Sequence, residues 1–154
     1  MLAAVRSAVL EGVEGRIVTV EVHVSRGLPG YTVVGLPDAA GKESRERVRA
    51  ALLSSQLEYP QQRVTVNLAP ASVRKTGAGL ELAVALALTC AAGGLPSGAL
   101  DAIGVLGELG LDGSVRPVLG APPALRTDAG HPLTHIANRR SRLRVAAAHR
   151  SGGI

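Results

Sequence analysis

Between Ile17 and Val24 the chain reads IVTVEVHV, with Val18, Val20, Val22 and Val24 on one side of a period of two and Thr19, Glu21 and His23 on the other. That alternation predicts a half-buried strand whose His23 faces solvent instead of serving catalysis. Arg26 to Gly30 (RGLPG) predicts a turn, Tyr31 to Val34 (YTVV) resumes as a strand, and the two strands together predict a hairpin. Asp38 is placed to cap a helix running to about Ser55, because its carboxylate can accept from free N–H groups of the first turn. On that helix Lys42 and Glu46, and Glu43 and Arg47, stand four apart with opposite charge, so one face is strongly charged. Arg63 to Leu68 (RVTVNL) predicts the next strand, and a polar, glycine-containing loop follows it. The run from Leu80 to Ala92 (LELAVALALTCAA) contains Glu81 and falls short of the roughly 20 residues that cross a bilayer, so it predicts a buried helix. Ile103 to Leu106, Gly107 to Leu111 and Ser114 to Val118 predict strands, with a tight turn at Asp112-Gly113. Pro122 and Pro123 can open a short helix that Gly130 ends. Strand and helix alternate throughout, which predicts an α/β or α+β domain with a mixed sheet.

Composition narrows the function classes. The chain has 154 residues, enough for one domain with a real core, and its rings are Tyr31 and Tyr59 alone, with no Phe and no Trp. Two rings leave little for base stacking, which disfavours stacking platforms for single-stranded nucleic acid. A lone Cys90 can form neither an internal disulfide nor a CxxC metal site, which fits a reducing, cytoplasmic setting. The first residues, MLAAVRSAVLEG, lack the apolar stretch of a signal peptide, and no membrane partner is expected. The formal charge of +5 is unevenly placed: residues 1 to 125 carry 11 basic and 11 acidic side chains, and residues 126 to 154 carry six Arg against Asp128. The body is therefore neutral, without the whole-domain basic footprint of a DNA-binding fold. Residues 1–130 are expected to form the domain, and 131–154 (HPLTHIANRRSRLRVAAAHRSGGI) a basic tail without a strand pattern, disordered or outside the domain's own pattern.

Several motifs carry candidate chemistry. The stretch GLPDAAGKES at 35 to 44 approaches a phosphate-binding loop, but five residues separate Gly35 from Gly41, and Glu43 stands where the magnesium-ligating hydroxyl belongs. A carboxylate there would repel a triphosphate. Gly77-Ala-Gly79-Leu-Glu-Leu82 lacks the third glycine of a dinucleotide fingerprint. His131 and His135 are four apart, but Pro132 lies between them and no third ligand is near, so no metal is expected. The basic side chains offer two readings, a solvated surface or an anion contact. Arg45, Arg47 and Arg49 on the charged helix, with Arg74 and Lys75 in the loop before the apolar helix, are the candidates for nucleic-acid or subunit contact.

Three segments, GLPDAAGKESRERVRAAL (35–52), RVTVNLAPASVRKTGAGLELAVALAL (63–88) and LGELGLDGSVRPVLG (106–120), together resemble the N-terminal region of the YifB/ComM family of bacterial magnesium-chelatase-like AAA+ ATPases. The resemblance runs from Met1 to about Gly120. It implies a Lon-protease-like domain with a ribosomal-protein-S5-domain-2-like α+β fold. In Lon-type proteases the run matching Arg74 to Glu81 carries the nucleophilic serine, and its place here is Gly79. The position of the partner lysine falls on Pro122. With neither nucleophile nor base, the resemblance implies that this chain is not an enzyme, and no catalytic, cofactor or metal residue is assigned. ATP and magnesium would belong to a AAA+ module that in this family follows the region. For full-length ComM-like members the resemblance implies hexameric, ATP-driven branch migration of DNA in natural transformation. The partners implied are further copies of the chain or that AAA+ module, with DNA as a third. A residual Lon-like peptidase and a stand-alone nucleic-acid-binding module are the alternatives. After Gly120 the family continues with an Ala-rich helix and a Val-rich strand, whereas this chain is Pro-interrupted and Arg/His-rich, which suggests a truncated or frameshifted reading frame.

Overall fold

The computed structural model describes residues 1–11, 14–75, 78–96, 98–101, 104–118 and 133–135. In chain order its elements are β1 (Leu2–Glu11), β2 (Glu14–Ser25), β3 (Gly30–Val34), α1 (Asp38–Ser54), β4 (Arg63–Ala69), a 3-10 turn (Ala78–Leu80), α2 (Glu81–Ala91), β5 (Gly104–Leu106), β6 (Glu108–Leu109), β7 (Val115–Arg116) and β8 (Leu133–His135). Among the described residues one sheet has the order β3-β4-β2-β1-β5-β8, and β6 pairs with β7 in a separate hairpin. The pairings β1/β2 and β2/β4 are antiparallel, while β3/β4, β1/β5 and β5/β8 are parallel. The chain is thus α+β, with a mixed sheet packed by helices.

The alternating valines set the register. Val20 pairs with Val5 on one side and Leu68 on the other, and Val22 lies between Ala3 and Val66, which in turn pairs with Val33. These rows of mainly β-branched side chains form one buried face, as cross-strand pairing favours. Helix α2 lies on that face. Its residues Glu81 to Thr89 and Ala91 are all buried, as expected for a helix that is apolar around its circumference. Helix α1 buries only a stripe, Gly41, Ser44, Val48, Ala51 and Leu52, and packs it against β3 and α2. The turn of the β6–β7 hairpin closes on the end of α1, where the Ser54 hydroxyl donates to Leu111 O at 3.0 Å.

The structure departs from the sequence expectations in four places. β2 and β3 do not form a hairpin, because β4 inserts between them and pairs with both. Alternation specifies which face of a strand is buried but not which strand lies beside it, and the parallel β3/β4 pair uses α1 as the crossover it needs. Asp38 does not cap α1. Pro37 holds the flanking position, no side-chain cap bond forms, and Asp38 contributes its negative charge from within the first turn. β1 escaped the pattern because alanines on both of its faces conceal the alternation of Val5, Ser7 and Val9. Leu133–His135, inside the stretch expected to lack strands, pairs with β5 as an edge strand. The helix expected from Pro122 to Gly130 lies outside the described residues.

Gly35, between β3 and α1, has φ +104°, and a Cβ there would stand 3.0 Å from Leu68 O. Gly35→Ala is expected to destabilise the fold by at least about 1–2 kcal/mol, the cost of the left-handed backbone before any clash with β4. Urea denaturation should give a lower midpoint at unchanged slope.

Candidate functional site

Where α1 leaves β3 and crosses the start of α2, a cavity of about 420 Å³ opens, within the range of small-molecule sites. Its apolar wall comes from Val33, Leu36, Pro37, Ala40, Leu68, Leu80 and Val84. Its polar wall comes from Glu43, Ser44 and Arg47 of α1, from Lys75, and from Glu81 at the first position of α2. Among the described residues two acids and two bases therefore line the same space.

Arg47 organises one side. Its Nη2 donates to Glu43 Oε1 at 2.8 Å, one turn back on α1, and its Nε lies 3.1 Å from Glu81 Oε2. The second contact is an ion pair without hydrogen-bond alignment, so Glu81 Oε2 is buried with no hydrogen-bond partner among the described residues. Burial pushes the Glu81 carboxyl up to about 7; Arg47 opposes the rise, and Glu43 and Glu108 add to it. Desolvation therefore outweighs the pair seen from Glu81. From Arg47 the same contact reads favourably: Glu81 and then Glu43 raise its pKa. Lys75 is 8% exposed and donates from Nζ to Pro70 O, and among the described residues it enters no ion pair.

The five basic residues singled out in the sequence separate into two sets. Arg47 and Lys75 line the cavity, whereas Arg45, Arg49 and Arg74 are exposed. Arg45 lies 3.8 Å from Glu46, and Arg49 stands 6.0 Å from the centre of the Tyr59 ring, at the limit of a cation–π contact. Of the two predicted pairs on α1, Glu43–Arg47 forms, while Glu46 is drawn towards its neighbour Arg45. Sequence reasoning missed Glu81, Ser44 and Glu43 as site residues. The signal for Arg47 was available: it follows Ser44 by three and precedes Ala51 by four, and so lies half-buried along the edge of the buried stripe. Glu81, the one acid in a run of apolar residues, was the corresponding signal on α2. Gly79 sits in the 3-10 turn before α2, where an added Cβ would meet Leu106 Cδ1 at 3.4 Å and Val118 Cγ2 at 3.5 Å. Pro122 lies outside the described residues. No group of three or more potential metal ligands occurs among the described residues, and no helix among them is long and apolar enough to cross a membrane.

Because the Glu81 carboxyl titrates higher in the fold than its ordinary 4.5, the folded state holds a proton that the unfolded chain has released between those two values. Stability from this group is full below about pH 4.5 and is lost as pH rises through about 7. Thermal unfolding midpoints are expected to fall across that window, and Glu81→Gln, which stays neutral, should flatten the slope.

Comparison with known proteins places this sequence in a family. Residues 20–147 match the family model described as subunit ChlI of Mg-chelatase, a match that continues beyond Gly120 into the basic stretch. A YifB protein of Escherichia coli is 46% identical over 120 residues, which cover 78% of this chain and 24% of that protein. Competence protein ComM of Haemophilus influenzae is 44% identical over 124 residues, 80% of this chain and 24% of its own length. The chain thus spans about a quarter of the length of these curated relatives. With most of its length inside the family model and close identity to both relatives, the chain belongs to the magnesium-chelatase ChlI-type family, in its YifB/ComM branch.

Proposed function

We propose that the chain is a non-catalytic module of a magnesium-chelatase-like AAA+ ATPase, and that its work is contact with the ATPase module or with further copies of itself. The observation that carries the reading is Gly79. It occupies the place that the Lon resemblance gives to a nucleophilic serine, yet it has no side chain and faces Leu106 and Val118. A covalent peptidase needs a nucleophile beside a base, and this corner offers an apolar wall. The activity the module would serve is the one the resemblance implies, hexameric and ATP-driven branch migration of DNA in natural transformation, with ATP and magnesium bound outside these 154 residues.

The outer face of α1 is the proposed contact surface. Arg45, Glu46 and Arg49 border a shallow polar groove of about 150 Å³ with Tyr59, Pro60 and Gln62. Lys42 and Glu43 are exposed on the same helix, so the surface mixes both signs. A mixed pattern suits a protein partner with complementary charges, whereas a phosphate backbone calls for one sign.

The purified chain is expected to hydrolyse neither casein nor ATP above the blank, and activity in either assay overturns the non-catalytic reading. Arg45→Glu combined with Arg49→Glu should weaken association with the ATPase module or with itself by about tenfold. Sedimentation velocity and co-purification measure that loss. Salt-sensitive DNA binding by fluorescence anisotropy, removed by the same pair, would replace the protein partner with nucleic acid.

A further inference from the structure

The cavity between α1 and α2 holds two opposite charges that do not meet. Lys75 and Glu81 are both buried and both line it, yet they form no ion pair within 4.0 Å. Lys75 satisfies one donor on Pro70 O and has no acidic partner among the described residues. Glu81 Oε2 lies beside Arg47 but accepts no hydrogen bond. Buried charges are ordinarily paired and hydrogen-bonded. Here an anion acceptor is wanted at Lys75 and a donor at Glu81. Between and around them Leu36, Leu68, Leu80 and Val84 form a wall that can take an aliphatic group.

The unmet groups select the ligand. Among the described residues the buried Lys75 has no acidic partner and the buried Glu81 Oε2 accepts no hydrogen bond, so a ligand must bring an acceptor to the first and a donor to the second. A molecule with a carboxylate at one end and an ammonium at the other meets both. We propose that this cavity binds a zwitterion with an aliphatic side chain, of amino-acid or dipeptide size, its carboxylate on Lys75, its ammonium on Glu81 and its side chain against Leu36, Leu68, Leu80 and Val84. The space of about 420 Å³ admits either size. This site is separate from the groove bordered by Arg45 and Arg49, neither of which lines it.

Isothermal titration calorimetry of the full 154-residue chain with L-leucine and with Leu-Leu separates the two sources. Binding of at least one is expected, and the one that binds names the source. On the same protein, 4-methylpentanoate, which lacks the ammonium, and 3-methylbutylamine, which lacks the carboxylate, should each bind at least about tenfold more weakly. Lys75→Met and Glu81→Gln should each impose a comparable loss, with circular dichroism verifying the fold. Silence of both zwitterions at millimolar concentration, or analogues that bind as well as the parent, overturns the proposal. The analogue series needs no variant, so a failure of Lys75→Met to fold leaves the test intact.

Discussion

Helix α2 is apolar around its whole circumference, and the rest of the molecule is arranged to enclose it. Each Leu or Val it removes from water contributes about 1.5–3 kcal/mol, so no side can be left open without cost. The valine rows of β1, β2 and β4 cover one side, α1 a second, and the β6–β7 hairpin a third. The hairpin approaches closely enough that a Cβ on Gly107 would fall 2.8 Å from Leu82 Cδ2 and 2.9 Å from Val115 Cγ1. That enclosure carries Glu81 inside with the helix. A carboxylate at a helix start is favoured by the helix dipole, but it still needs a counter-charge once water is gone. Arg47 supplies one, and for that reason it turns inward instead of joining the exposed arginines of its own helix.

Much of the fold was legible because β2, β4 and α1 each have a single buried direction and α2 is apolar all round. The alternation at 17–24 and 63–68 and the apolar run from Leu80 each specify a face or a fully buried element, and the structure has β2, β4 and α2 there. Strand neighbours were not legible. The same valine alternation satisfies pairing with β3, β1 or β4, and only the crossover through α1 decides that β4 stands between β2 and β3. The start of the chain was hidden for a local reason: Ala4 and Ala8 reduce the contrast between the faces of β1, and buried Ser7 reverses it.

The candidate site was legible only as residue types. Arg45, Arg47 and Arg49 look equivalent in sequence, but successive members lie two residues apart, about 200° around a helix of 3.6 residues per turn. Arg45 and Arg49, four apart, must therefore share a face, and Arg47 must point away from both. The two environments differ physically. Ion pairs in water contribute about 0–1 kcal/mol and are screened by salt, so Arg45 and Arg49 are adjustable without harm to the core. Arg47 faces the buried Glu81, and removing the guanidinium would take away the ion-pair partner of that carboxyl. Outer and inner arginines on one helix can thus change independently, which allows α1 to keep a variable surface while its inner side holds a fixed arrangement of charges.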